Sequence, residues 1–116
     1  RDALHYARYY GYSEIVDILS KKALEQDNII NTIKIDRQQS IGKVFTLALK
    51  YLNVTIRDNK PCISLMSNKG DSFFLFFEND MKEKILSLEY GQFYSFKFKL
   101  LNFSIISMLG KLISID

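Results

Sequence analysis

The sequence predicts an α+β chain, with helices in residues 1–40 and an antiparallel sheet in residues 41–116 that carries one helix inside its strand order. Three observations support this. The stretch Asp71–Leu100, DSFFLFFENDMKEKILSLEYGQFYSFKFKL, reads as strand, helix, strand. From Ile41 onward the chain is rich in β-branched and aromatic residues, with runs of period-two alternation. Before Gln38, apolar side chains recur at helical spacing instead.

Within the central stretch, Ser72–Phe77 is short, aromatic and apolar, a strand signal. Asp80–Tyr90 has the pattern of a short amphipathic helix. Asp80 is placed to cap it, Glu83 completes a capping pattern, and Gly91 ends it. Met81, Ile85 and Leu88 share one face of that helix. Gln92–Leu100 alternates, with Tyr94, Phe96, Phe98 and Leu100 on one side and Phe93, Ser95, Lys97 and Lys99 on the other.

At the start of the chain, Ala3–Tyr10 reads as a helix, Gly11-Tyr12 as a turn, and Ser13 as the cap of a second helix reaching about Ala23. Leu4, His5 and Ala7, followed by Gly11 at the turn and by Glu14, Ile15, Val16 and Leu19, resemble the ankyrin repeat. Asp2 stands where the family has threonine, Ala3 where it has proline, and Tyr12 where histidine is common. The resemblance covers residues 2–23 and implies a structural hydrogen bond for His5. A single repeat cannot bury its own apolar face. Residues 1–23 are therefore expected to be the last repeat of a longer array, and the chain a fragment. Residues 24–40 are expected to link the repeat to the strands. Within them Leu24–Arg37 is a helix, with Ile29 and Ile33 four apart and Ile30 and Ile33 three apart.

Residues 41–116 supply the strands. Val44–Ile56 is longer than an average strand, so a bend or bulge is expected near Lys50–Asn53. Arg57–Lys60 is a turn, Pro61–Ser67 a second strand, and Ser67–Asp71 a tight connection. After the central stretch, Leu101–Ser104 turns and Ile105–Ile115 is a last strand, interrupted at Gly110. Three strands, a helix, then two strands resembles the OB-fold, a five-stranded Greek-key barrel. Gly42-Lys43, Pro61–Leu65 and Ile85–Gly91 are similar to bacterial OB domains of the tRNA anticodon-binding-like family. The resemblance implies a closed antiparallel barrel with the Ile85 helix at one end. An open antiparallel sheet with helices on one side is the competing topology.

The totals exclude several function classes. The net charge is +3, and residues 1–40 hold equal numbers of acidic and basic side chains, so the excess lies in residues 41–116. That surplus permits an anionic partner without demanding one. No apolar run is long enough to span a bilayer, so no membrane insertion is expected. Cys62 is the lone cysteine and His5 the lone histidine, which leaves no disulfide and no metal-ligand spacing. There is no phosphate-binding glycine loop and no nucleophile motif, so neither a cofactor nor catalysis is expected.

OB-like barrels bind single strands across strands two and three, stacking bases on aromatics while cations follow the phosphates. If Phe73, Leu75 and Phe77 point inward, Phe74 and Phe76 point outward. The resemblance then implies a candidate nucleic-acid-binding set of Arg57, Lys60, Lys69, Phe74, Phe76 and Phe103. Against it, Asp71, Glu78 and Asp80 flank the third strand and repel phosphate, and Lys97 and Lys99 lie on strand four. The favoured expectation is a non-catalytic interaction module of a larger ankyrin-repeat protein. An ankyrin array would recognise a protein partner, and the barrel would cap the array or bind a protein partner, with helix Leu24–Arg37 over Phe74 and Phe76. The alternative is a single-stranded nucleic acid partner.

Overall fold

The computed structural model describes the backbone of residues 13–116 and the side chains of residues 24–116. The expected first helix, the Gly11-Tyr12 turn and the side chains of the repeat-like segment, His5 included, lie outside the described residues. The chain divides into two units, residues 1–36 and 37–116.

In the first unit, helix α1 runs unbroken over Ser13–Ile35. Two helices meeting near Ala23 were expected. The intervening Lys21-Lys22-Ala23-Leu24-Glu25 contains no glycine or proline and consists of strong helix formers, so nothing stops propagation there. Along α1, Ile30 and Ile33 are buried, and the Thr32 hydroxyl donates to the Asn28 carbonyl at 2.8 Å.

The second unit opens with one turn of helix, α2 (Arg37–Ser40), and continues as five strands: β1 (Val44–Arg57), β2 (Lys60–Met66), β3 (Ser72–Phe76), β4 (Phe93–Phe103) and β5 (Ser107–Ile115). They form a closed barrel in the order β1-β2-β3-β5-β4, which rules out the open sheet. Four pairings are antiparallel, but β3 and β5 run parallel, so the barrel is not antiparallel throughout as expected.

β1 serves both halves of the barrel. Its first half, Val44–Lys50, pairs with β4, and its second half, Lys50–Arg57, pairs with β2. The register shifts between Tyr51 and Asn53, where the long strand was expected to bend. A two-residue turn, Asp58-Asn59, leads into β2 with both residues at positive φ (54° and 62°). This is the handedness that matches strand twist, and Asp and Asn tolerate it better than other side chains. The β2–β3 turn is held reciprocally. Ser67 Oγ donates to Asp71 Oδ2 at 3.0 Å, and the Asp71 N–H donates back to Ser67 Oγ at 2.9 Å.

Alternation fills the interior. Leu47, Leu49, Ile63, Leu65, Phe73, Leu75, Phe96, Phe98 and Leu100 are fully buried, while Lys97 and Lys99 are exposed. Phe73 and Phe98 meet edge to face, with centroids 5.8 Å apart. Each such side chain contributes about 1.5–3 kcal/mol on burial. Between β3 and β4 lie a 3₁₀ turn, Asn79–Met81, and the five-residue helix α3 (Lys82–Leu86), shorter than the expected Asp80–Tyr90. Asp80 sits inside the 3₁₀ turn and does not cap. The preceding Glu78 makes no side-chain cap bond either. Ile85 is the buried residue of α3.

Two further boundaries differ from expectation. β4 continues to Phe103, and β5 passes through Gly110 without interruption. A Cβ at Gly110 would lie 2.9 Å from Leu75 Cδ2, the Lys99 carbonyl oxygen and Phe98 Cδ2. The glycine therefore does not break the strand. It lets β5 approach β3 and β4 closely at once. Gly110→Ala should destabilise the barrel by about 1–3 kcal/mol, because the carbonyl is backbone and cannot swing aside. A urea unfolding midpoint equal to wild type would contradict this packing.

Candidate functional site

The same alternation that fills the core sets the outer face. With Ile63, Leu65, Phe73 and Leu75 inside, Ser64, Phe74 and Phe76 stand outside, and each is half-buried. Cys62 shares that outer face but is fully buried. Pairing aligns Thr55, Cys62, Phe76 and Lys111 in one row across four strands. The next row holds Ser64, Phe74 and Leu109. Arg57, the last residue of β1, places its guanidinium 4.8 Å from the centre of the Phe74 ring. Such a cation–π contact contributes about 0.5–1 kcal/mol at a partly exposed site.

The row that contains Cys62 lies, by register, between the row of Arg57 and the row of Phe74. Burial pushes the Cys62 thiol above its ordinary range. The Arg57 charge pulls it down by less, and Asp58 adds a smaller upward push. The burial of Cys62 thus favours the neutral thiol and shields it from solvent.

Beside the β1–β2 turn, a cleft of about 430 Å³ opens on the barrel wall. Asp58, Lys60 and Pro61 line it from the turn and the start of β2, and Phe76, Phe77 and Glu78 from the end of β3. Leu101 of β4 and Lys111 of β5 complete it. Lys111 Nζ lies 3.2 Å from Glu78 Oε1. Both side chains are more than half exposed, so this pair holds geometry more than it stabilises, about 0–1 kcal/mol. A second cleft of about 270 Å³ shares Pro61 and Phe77 and continues past Val54 to Lys82, Ile85 and Leu86.

The residues expected to bind nucleic acid separate into two groups. Arg57, Lys60, Phe74 and Phe76 come together at this end of the barrel. Lys60 is the first residue of β2 rather than part of the turn. Lys69, in the β2–β3 turn, and Phe103, the last residue of β4, belong to the opposite end. The parallel pairing of Ser72 with Ser107 forces this, because it sets the turns that precede β3 and β5 side by side. Phe103 has its own cation, with the Arg37 guanidinium 5.1 Å from its ring centre. Pro61, Phe77, Leu101 and Lys111 were not expected from the sequence. Only barrel closure brings Lys111 to Glu78, and no local pattern marks either. Among the described residues no group of three or more His, Cys, Asp or Glu stands together as a metal site.

No family model, curated protein or solved structure matches this chain.

The shielding of Cys62 has a measurable consequence. In the native protein the thiol should resist alkylation at neutral pH and react at the ordinary rate only after unfolding. Tyr51 is also raised by burial. For both groups the neutral form is favoured by folding. Their contribution is therefore complete below the unfolded values and is lost as pH rises through the folded ones. Stability should decline in the alkaline range, beginning above roughly pH 8.5, where a free thiol ionises. Fast stoichiometric labelling of the folded protein would contradict the burial of Cys62.

Proposed function

We propose that this chain is a non-catalytic binding module whose barrel is OB-like and takes a protein partner in the cleft beside the β1–β2 turn. The strand order, the long bent first strand and the helical segment between β3 and β4 support the OB-like assignment. Gly42-Lys43, Pro61–Leu65 and Ile85–Gly91 support the narrower likeness to the anticodon-binding-like domains. Leu4, His5, Ala7 and Gly11 support a terminal ankyrin-like repeat ahead of the barrel, and with it recognition of a protein partner through an array.

The observation that carries the choice of partner is the charge balance of the cleft. Lys60 and Lys111 face Asp58 and Glu78 over an apolar floor of Pro61, Phe76, Phe77 and Leu101. Affinity for a nucleic-acid strand comes chiefly from cations that replace its counterions. Two cations offset by two carboxylates do not make such a track. A polypeptide brings charges of both signs and apolar side chains, which match a mixed rim over an apolar floor.

One observation favours the second reading, single-stranded nucleic acid. Arg57 stacked on Phe74 with Phe76 beside it is a platform on which a base can lie. Titrating the 116-residue protein with labelled oligo-dT and oligo-U, at low and moderate salt, separates the two. We expect no saturable binding at either salt. Binding that weakens with salt and disappears in Phe74→Ala/Phe76→Ala, with the fold intact, would install the second reading. Peptides selected by display on the same protein should lose about tenfold or more in affinity for Lys60→Glu/Lys111→Glu. Peptides indifferent to that change would move the binding surface away from the cleft.

A further inference from the structure

The turn between β4 and β5 carries two adjacent isoleucines in water. Ile105 is 98% exposed and Ile106 84% exposed. The turn itself is well built. The Ser104 N–H donates to the Ser107 carbonyl at 2.8 Å, the Ser107 N–H donates to Ser104 Oγ at 3.1 Å, and Asn102 Oδ1 accepts from the Phe103 N–H at 2.8 Å. These bonds hold the tip outward, so neither isoleucine folds back onto the barrel.

Cations outnumber carboxylates at this end. The Ser107 hydroxyl donates to Ser72 Oγ at 3.2 Å, which ties the isoleucine turn to the β2–β3 turn carrying Lys69. Arg37 stacks on Phe103 at the base of the turn. Lys43 is held to β4 by the Leu100 N–H, which donates to its carbonyl at 2.9 Å. Of the seven acidic side chains in residues 37–116, only Asp71 lies here, and it is engaged by Ser67. Asp58, Glu78, Asp80, Glu83 and Glu89 lie at or near the opposite end, and the Asp116 N–H pairs with the Ser95 carbonyl, also away from the isoleucine turn. Arg57, Lys60, Lys82 and Lys84 stand among those far-end acids and largely offset them, whereas at the end that bears the apolar tip Arg37, Lys43 and Lys69 stand against Asp71.

We infer that this end docks on an anionic lipid bilayer surface. Ile105 and Ile106 enter the boundary between headgroups and acyl chains, and Arg37, Lys43 and Lys69 face the anionic headgroups. A bilayer offers the two required environments in the required order, a negatively charged plane with apolar depth directly beneath it. A nucleic acid satisfies the cations but gives branched aliphatic side chains nothing to stack on. A rigid protein needs a preformed pocket for a protruding tip, whereas lipid yields around it. Neither signal is strong alone, and stable peripheral attachment uses two. Nothing in this spans the membrane, and among the described residues no helix is long and apolar enough to do so.

The test uses the 116-residue protein and two sets of vesicles, phosphatidylcholine alone and phosphatidylcholine with phosphatidylserine. Co-sedimentation should appear with the anionic vesicles at low salt. It should fall about fivefold or more on the neutral vesicles or at moderate salt. Ile105→Ser/Ile106→Ser should abolish it at an unchanged Tm, since neither side chain packs in the fold. The chain has no tryptophan, so Ile106→Trp supplies a single reporter whose emission should shift to the blue only with the anionic vesicles. The inference is overturned if the protein stays in the supernatant with anionic vesicles at low salt, or if the double serine variant binds as wild type does. It is also overturned if wild type elutes as a dimer that the double variant converts to monomer, because the tip would then be a self-contact.

Discussion

The barrel depends on the parallel pairing of β3 with β5. Every other pairing is antiparallel and would by itself leave a curved open sheet with two free edges. The β3–β5 ladder, Ser72–Phe76 against Ser107–Lys111, joins those edges and closes the sheet. Closure requires β5 to lie against β3 and β4 together, and Gly110 sits where all three meet, among Leu75, Phe98 and the Lys99 carbonyl. Any side chain there would hold the strands apart. The chain must also cross from the end of β3 to the start of β4, and the Asn79–Leu86 segment makes that crossing with Ile85 buried.

The same pairing sorts the loops. Because β3 and β5 start at the same end, their preceding turns become neighbours, while the β1–β2 turn and the β3–α3 junction collect at the other. Chemistry follows this sorting. One end receives five carboxylates interleaved with Arg57, Lys60, Lys82 and Lys84, and the mixed cleft, and the other receives Arg37, Lys43, Lys69, Asp71 and the isoleucine turn. The net charge of +3 says nothing of this arrangement, since it does not record which charges share an end.

What was legible in the sequence was what period two controls. The facing of Phe73 and Leu75 against Phe74 and Phe76, of Phe96 and Phe98 against Lys97 and Lys99, and the bend within β1 all derive from local alternation and strand length. The extent of helix between β3 and β4 was not legible. Its apolar spacing continued to Leu88, but the helix stops at Leu86, and the candidate cap Asp80 falls inside a 3₁₀ turn. Gly110 was misread because a lone glycine in a strand pattern has two physical meanings, a break or a close approach, and only the neighbouring strands distinguish them. The candidate site was legible in part. Arg57, Lys60, Phe74 and Phe76 lie together because they come from adjacent strands. Lys69 and Phe103 fall away, and Lys111 and Leu101 arrive, because which turn meets which is a property of closure.

The Arg57–Phe74 contact shows why outward aromatics do not by themselves argue for nucleic acid. The ring surface that a base would use is taken by a guanidinium of the same chain. A base would have to displace Arg57, losing the cation–π contact, or stack on the guanidinium instead. The second course leaves Arg57 as the base's platform and withdraws its charge from any phosphate beyond that point. Lys60 and Lys111 then remain, and Asp58 and Glu78 line the same cleft with them. A strand laid across this face would therefore gain one stacking surface and little counterion release. A polypeptide entering from the Leu101 side would bury Pro61, Phe76 and Phe77 without disturbing Arg57 at all. The internal stack is thus compatible with a protein partner as it stands, and with a nucleic-acid partner only at a cost that the surrounding charges do not offset.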